Sequence, residues 1–117
     1  MREGDFDDQV YDIAGNSWTA GSPSPFTIEG EAAAVVGAQI YVAGGRSGGS
    51  YLSTLIIYDP ATDTWTSAPN SPVAHYFAGA AVVNNLLYVV GANASGASGA
   101  EVDVYDPTAL KFVYTKD

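Results

Sequence analysis

The chain contains no cysteine. Disulfides, cysteine-ligated zinc, haem-thiolate and thiol nucleophiles are thereby excluded, while either redox compartment is tolerated. Basic residues are almost missing as well: four Lys and Arg against thirteen Asp and Glu leave a net charge of −9. Such a surface repels phosphate backbones and anionic lipid, so no nucleic-acid or membrane partner is expected. There is one histidine, His75. With no carboxylate, Ser or second His at a recognisable spacing, it builds neither a triad nor a metal site. No apolar run approaches the roughly 18 residues of a membrane span, and the opening MREGDFDDQV lacks the apolar core of a signal peptide. As written, the chain reads as soluble and untargeted. Helical periodicity is absent too, since no segment sustains it over three turns.

What the sequence does contain is turns and short apolar runs. Its 117 residues, the length of one ordinary domain, are 47% hydrophobic and only 15% charged, with 13 Gly and 6 Pro between the runs. That distribution favours an all-β chain whose charge is kept for loops. A repeat organises it. Tyr11, Tyr58 and Tyr105 stand 47 residues apart, each followed by Asp, and Trp18, Trp65 and Phe112 keep the same interval. Tyr41 pairs with Tyr88 and Gly44 with Gly91 at that spacing. Aligning residues 33–66 with 80–113 needs no gap and yields 11 identities in 34 positions.

Each unit reads as four short strands. In the complete unit the expected strands are Ala32–Val36, Gln39–Ala43, Leu55–Tyr58 and Thr64–Thr66. The first two are joined by a Gly37-Ala38 turn, and the second ends on Gly44-Gly45. A Gly/Ser-rich loop beginning at Arg46 follows. Asp59-Pro60-Ala61-Thr62 suits a type I turn, because Pro presets φ at its second position and Asp caps the first. Gly44-Gly45 permits positive φ and a close backbone approach. Tyr41, Tyr58 and Trp65 are expected to be mostly buried and structural.

A period in the forties with four strands per unit matches radial repetition in a propeller. The motif residues IYVAGG, YDP and TW of the complete unit resemble the kelch repeat. The following unit matches at LYVVGA and VYDP, with Phe112 in place of Trp and Gly91-Ala92 in place of the glycine pair. That departure leaves Asn93 as a candidate left-handed residue. The first unit keeps only VYD and SW. The resemblance spans residues 10–113 and implies a partial kelch-type β-propeller of four-stranded antiparallel blades without disulfides. Residues 1–30 form a half blade (strands C and D) and its connection, 31–77 a complete blade and connection, and 78–117 a second, slightly degenerate blade. Ten strands leave the ring open. The simplest expectation is a fragment of a longer propeller, and the second is a self-associating partial one.

In kelch-like geometry the B–C loops and D–A connections share one face. Here these are residues 46–53, 92–100, 20–30 and 67–77, the candidate ligand surface. Candidate binding residues are Arg46, Ser50, Tyr51, His75 and Tyr76. Arg46 either presents its guanidinium to an acidic or carbonyl partner or pairs with a nearby carboxylate. Tyr51 and Tyr76 either stack on a sugar ring or side chain or pack against neighbouring loops. His75, where kelch-like repeats often have Arg and the preceding unit has Ile28, is most simply a partly exposed loop histidine. Asp5-Phe6-Asp7-Asp8 lacks the spaced ligands of a calcium loop, and Gly44–Gly49 lacks the Lys-Ser/Thr ending of a P-loop. No catalytic residue, metal site or cofactor is expected.

Two functions follow from the resemblance. One is a scaffold that binds a protein or a glycan. The other is a segment of a kelch-like enzyme, galactose-oxidase-like or sialate-epimerase-like, whose catalytic residues lie outside these 117. The copper-radical type relies on a Cys-crosslinked Tyr and paired His ligands, which this chain cannot supply. Small Ala/Gly/Ser/Thr-rich blades with few Lys resemble bacterial secreted or surface kelch-like proteins.

Overall fold

The computed structural model describes residues 8–23, 28, 30–72, 74–76, 78–91 and 102–116. These residues form antiparallel sheets and no helix. An amino-terminal hairpin pairs β1 (Asp8–Asp12) with β2 (Ser17–Gly21). The first four-stranded sheet comprises β3 (Ala32–Val36), β4 (Gln39–Ala43), β7 (Leu55–Asp59) and β8 (Thr64–Ala68), in that spatial order. Between β4 and β7 a separate hairpin pairs β5 (Arg46–Ser47) with β6 (Ser50–Tyr51). The second four-stranded sheet runs β9 (Gly79–Val83), β10 (Leu86–Val90), β11 (Val102–Asp106) and β12 (Lys111–Lys116).

The ten strands expected from the repeat are present, and β3 and β4 begin and end where the hydrophobic pattern places them. The β5–β6 hairpin is an addition to that expectation. Arg46–Ser50 reads as a loop because two-residue strands carry no periodicity. Gly48 and Gly49, at φ 58° and 86°, supply the double positive φ that a tight two-residue hairpin turn requires.

The turn between the third and fourth strands repeats most faithfully. Asn16, Asp63 and Leu110 occupy one position at 47-residue intervals, and all three adopt left-handed φ, at 49°, 55° and 57°. The preceding Asp shapes the bend: Asp59 Oδ1 accepts from the Ala61 amide at 3.0 Å, and Asp106 Oδ1 from the Thr108 amide at 2.9 Å. Asp in this role is what the Asp-Pro reading expects.

The two large sheets pack face to face, with β3 lying against β9 and β10. Alternation along each strand decides which side chains meet. Tyr41, Ala43 and Leu55 from the first sheet enclose one core with Leu87, Val89 and Tyr105 from the second. The opposite face of the first sheet forms a smaller cluster in which Val42 and Ile56 close around Ile28. Burial pushes the Tyr41 phenol above its ordinary range. The Tyr105 phenol is raised too, by burial first and then by Tyr41 and Asp106. Of the three aromatics expected inside, Tyr41 and Tyr58 are buried. Trp65 is half-buried, its indole N–H donating to the Ser22 carbonyl at 3.0 Å.

Candidate functional site

The loops on one side of the two sheets converge around the residue pair His75-Tyr76. The anchoring is largely backbone. The Gly45 amide donates to the His75 carbonyl at 2.7 Å, and the His75 amide donates to the Leu52 carbonyl at 3.0 Å. The connection between the sheets is thereby fastened to the strand-exit turn and to the residue after the β5–β6 hairpin. This is the close approach that requires glycine. Gly44 has φ 67°, and a methyl group there would collide with the His75 carbonyl oxygen.

His75 is not the partly exposed loop histidine that the sequence suggests. Its side chain is only 1% exposed, and Nε2 lies 2.7 Å from Oδ2 of Asp103, which is itself fully buried. On the other side of the ring, Nδ1 lies 3.2 Å from the Gly91 carbonyl. The Gly91 carbonyl can only accept, so Nδ1 donates in that contact, while Nε2 and the Asp103 carboxyl share the other hydrogen bond. The backbone of His75 thus belongs to the first sheet's loops, while its side chain grips the second sheet.

Asp103 is the residue that sequence reading missed. Its signal was present: it occupies the position of Ile56, 47 residues earlier, just as His75 occupies the position of Ile28. Ile28 and Ile56 sit together in the smaller apolar cluster. One unit therefore fills this contact with two isoleucines, and the next fills it with a histidine and an aspartate.

Tyr76, next along the chain, points the other way and assembles an aromatic-cationic surface. Its ring lies 5.4 Å from that of Tyr51, tilted by 40°. The Arg46 guanidinium sits 5.7 Å above the Tyr76 ring centre, within cation–π reach. Arg46 and Tyr51 face each other across the β5–β6 hairpin, whose Gly-Gly turn sets that register. Gly30, from the preceding connection, lies under Tyr76, and any side chain there would meet the ring. Tyr51 stays 40% exposed, and Ser50 beside it is exposed. The structure thus gathers Arg46, Tyr51 and Tyr76 into one cluster, keeps Ser50 at its rim, and withdraws His75 beneath it. The second unit's loop at residues 92–100, with Asn93, lies outside the described residues, as does the Asp5-Phe6-Asp7 run.

A second polar junction ties the amino-terminal segment to the first sheet. Asp63 accepts from the Ser22 amide at 2.8 Å and from the Tyr58 hydroxyl at 2.6 Å. The Ser22 amide and then the Tyr58 hydroxyl hold the Asp63 carboxyl below its ordinary range. These contacts fasten the segment after β2 to the turn between β7 and β8.

Sequential four-stranded antiparallel meanders, packed face to face about their first strands, define a segment of the β-propeller class. The kelch motif matches residues 32–72, which run from the start of β3 through β8 into the following connection. Over that stretch the chain is similar to the kelch motif, which fits the four-stranded sheets described above. No curated protein matches the chain.

Proposed function

We propose that the chain is a non-catalytic binding scaffold and that Arg46, Tyr51 and Tyr76 form the anchor of its ligand face. The observation that carries this reading is the tilted Tyr51–Tyr76 pair with the Arg46 guanidinium over the Tyr76 ring, raised on a short hairpin. Tyr and Arg are the side chains that dominate binding energy at protein interfaces. They offer large, stiff contact area together with donors that read carbonyl or carboxylate groups. The ligand is a protein segment that lays an apolar or aromatic side chain on the Tyr pair and sets a carbonyl or carboxylate near Arg46. Ser50 contributes a hydroxyl at the rim. His75 supports the surface from below by holding the connection that carries Tyr76.

A binding role also suits the polar chemistry of this side of the molecule. The chain's one histidine is buried with both ring nitrogens engaged, so it is not poised to exchange protons with a substrate. Selection from a displayed peptide library, run beside a glycan array, tests the reading. Peptide binders should emerge, and Tyr76→Ala or Arg46→Ala should weaken the best of them by at least tenfold. Binders indifferent to both substitutions, or binding confined to glycans, would overturn it.

A further inference from the structure

His75 fastens the connection between the two large sheets from both sides. Its backbone belongs to the first sheet: the carbonyl accepts from the Gly45 amide at 2.7 Å, and the amide donates to the Leu52 carbonyl at 3.0 Å. Its ring belongs to the second, with Nδ1 3.2 Å from the Gly91 carbonyl and Nε2 2.7 Å from Asp103 Oδ2. Both side chains are closed to water. The next residue, Tyr76, carries the ring over which Arg46 lies. At the equivalent joint 47 residues earlier stand Ile28 and Ile56, which have no proton to give or take.

These contacts require two protons. The Gly91 carbonyl only accepts, so Nδ1 must carry one. A second must lie between Nε2 and the Asp103 carboxyl, which otherwise turn lone pairs on each other. With one proton in place of two, either Nε2 faces a bare carboxylate or Nδ1 faces a carbonyl, and no water reaches the ring to compensate. When the connection lifts, the ring enters water, where a histidine keeps both nitrogens protonated only below about pH 6.5. Above that pH the closed arrangement binds more protons than the open one, so closing weakens as pH rises. The other ionisable side chains on the elements around the ring are Tyr41 of β4, Tyr105 of β11, and Arg46, Tyr51 and Tyr76 of the hairpin and connection. Tyrosine and arginine ordinarily keep their charge state between about pH 5 and 8, which leaves that window to the pair.

We propose that the His75–Asp103 pair makes the ligand face pH-sensitive: the connection that carries Tyr76 closes with uptake of one proton and loosens as pH rises. This rests on the reading of Arg46, Tyr51 and Tyr76 as the ligand face and concerns the regulation of that same site. Burial of the ring means that the proton exchanges as the connection opens.

Asp103→Asn separates the proton from the contact. An asparagine amide donates to Nε2 while Nδ1 still donates to Gly91, so the joint stays satisfied without a titrating carboxyl. Denaturant melts of the ligand-free parent and variant at about pH 6 and about pH 8, inside the range of histidine titration, form the first arm. The parent midpoint should fall over that step, and the variant midpoint should fall clearly less. The α-amino group titrates here as well, but both chains share it. In the second arm the best selected peptide, free of histidine and blocked at its amino end, is titrated into both proteins. Parent affinity should drop about threefold or more between the two conditions, within the limit of about tenfold per pH step for one linked proton. The variant's affinity should stay level. His75→Ile with Asp103→Ile replaces Asp103→Asn if circular dichroism shows that the latter has lost its strands. Parallel melts of parent and variant would overturn the proposal, and so would melts that diverge while parent affinity stays level. Failure to obtain any peptide sinks the ligand-face reading and with it the regulation of that face, while the melts still decide whether the joint takes up a proton.

Discussion

The two complete blades share one backbone plan and differ in how they fill the contact between a connection and the third strand. In the first blade Ile28 meets Ile56 in an apolar cluster. In the second, His75 meets Asp103 at 2.7 Å with neither side chain open to water. The apolar pair contributes through burial alone, which is non-directional. The polar pair must first offset the desolvation of two ionisable groups, and it returns directional contacts in exchange. Here those contacts fix the orientation of the connection that carries Tyr76. The difference teaches that a repeat fold conserves the space at a position and leaves open the chemistry that fills it.

Breaking the polar pair should produce the largest effect. Asp103→Ala strands the His75 ring beside the Gly91 carbonyl, and a loss of about 3 kcal/mol or more is expected. His75→Ile combined with Asp103→Ile rewrites the second blade in the language of the first. That double variant should be clearly more stable than Asp103→Ala, since a buried ion pair replaced by apolar side chains is often neutral or better. Denaturant melts of the parent chain, the single and the double variant at one fixed protein concentration decide the matter. A double variant as damaged as the single would mean the two contacts are not interchangeable.

The glycines at the strand exits sharpen the comparison next. Gly44 and Gly91 have φ 67° and 80°, and at Gly44 a methyl group would also meet the His75 carbonyl. Gly44→Ala should therefore cost about 2 kcal/mol or more, combining left-handed strain with a backbone collision. The melt should show a drop of that size together with weakened peptide binding, because the connection bearing Tyr76 is displaced.

At the third-to-fourth-strand turn the first blade places Asp63 in the left-handed position and the second places Leu110, which is 65% exposed. A leucine gains nothing there to offset the strain. Leu110→Asn should stabilise the chain by up to about 1 kcal/mol, raising the denaturation midpoint without changing the slope. Trp65→Phe makes the first blade resemble the second at Phe112. It removes the donor to the Ser22 carbonyl, at an expected cost of about 1 kcal/mol.

The smallest effect is a pH dependence confined to the first blade. The Asp63 carboxyl is held below its ordinary value by the Ser22 amide and the Tyr58 hydroxyl. A depressed folded-state value means that its contribution is complete above the ordinary carboxylate range and is lost as pH falls through the lowered value. Asp63→Asn should flatten acid melting curves in that window and leave them parallel to the parent at neutral pH. An unchanged acid slope would remove Asp63 from the account.

Much of this architecture was legible because its signals are local. The 47-residue register, the strand alternation and the Asp-Pro turns each depend on neighbours a few residues away, and β3 and β4 fall where the pattern put them. Positive φ at Gly44 and Gly45 was legible for the same reason. The candidate site was legible only in part. Arg46, Tyr51 and Tyr76 could be named from their loops, yet nothing in their spacing of five and twenty-five residues announces one cluster. The β5–β6 hairpin was illegible because strands of two residues have no period to detect.

By itself the sequence determined the four strands of each unit's main sheet, the turn chemistry and the side of each strand that is apolar. Those properties follow from steric limits on φ and from the two-residue alternation of side chains. Tertiary structure alone decided that Asp103 lies against His75, that Tyr76 closes over Gly30 while Arg46 sits above its ring, and that Trp65 reaches the Ser22 carbonyl. Each of these joins segments separated by long stretches of chain. Their meeting depends on how the sheets stack, and stacking depends on the summed fit of many side chains and not on any local pattern.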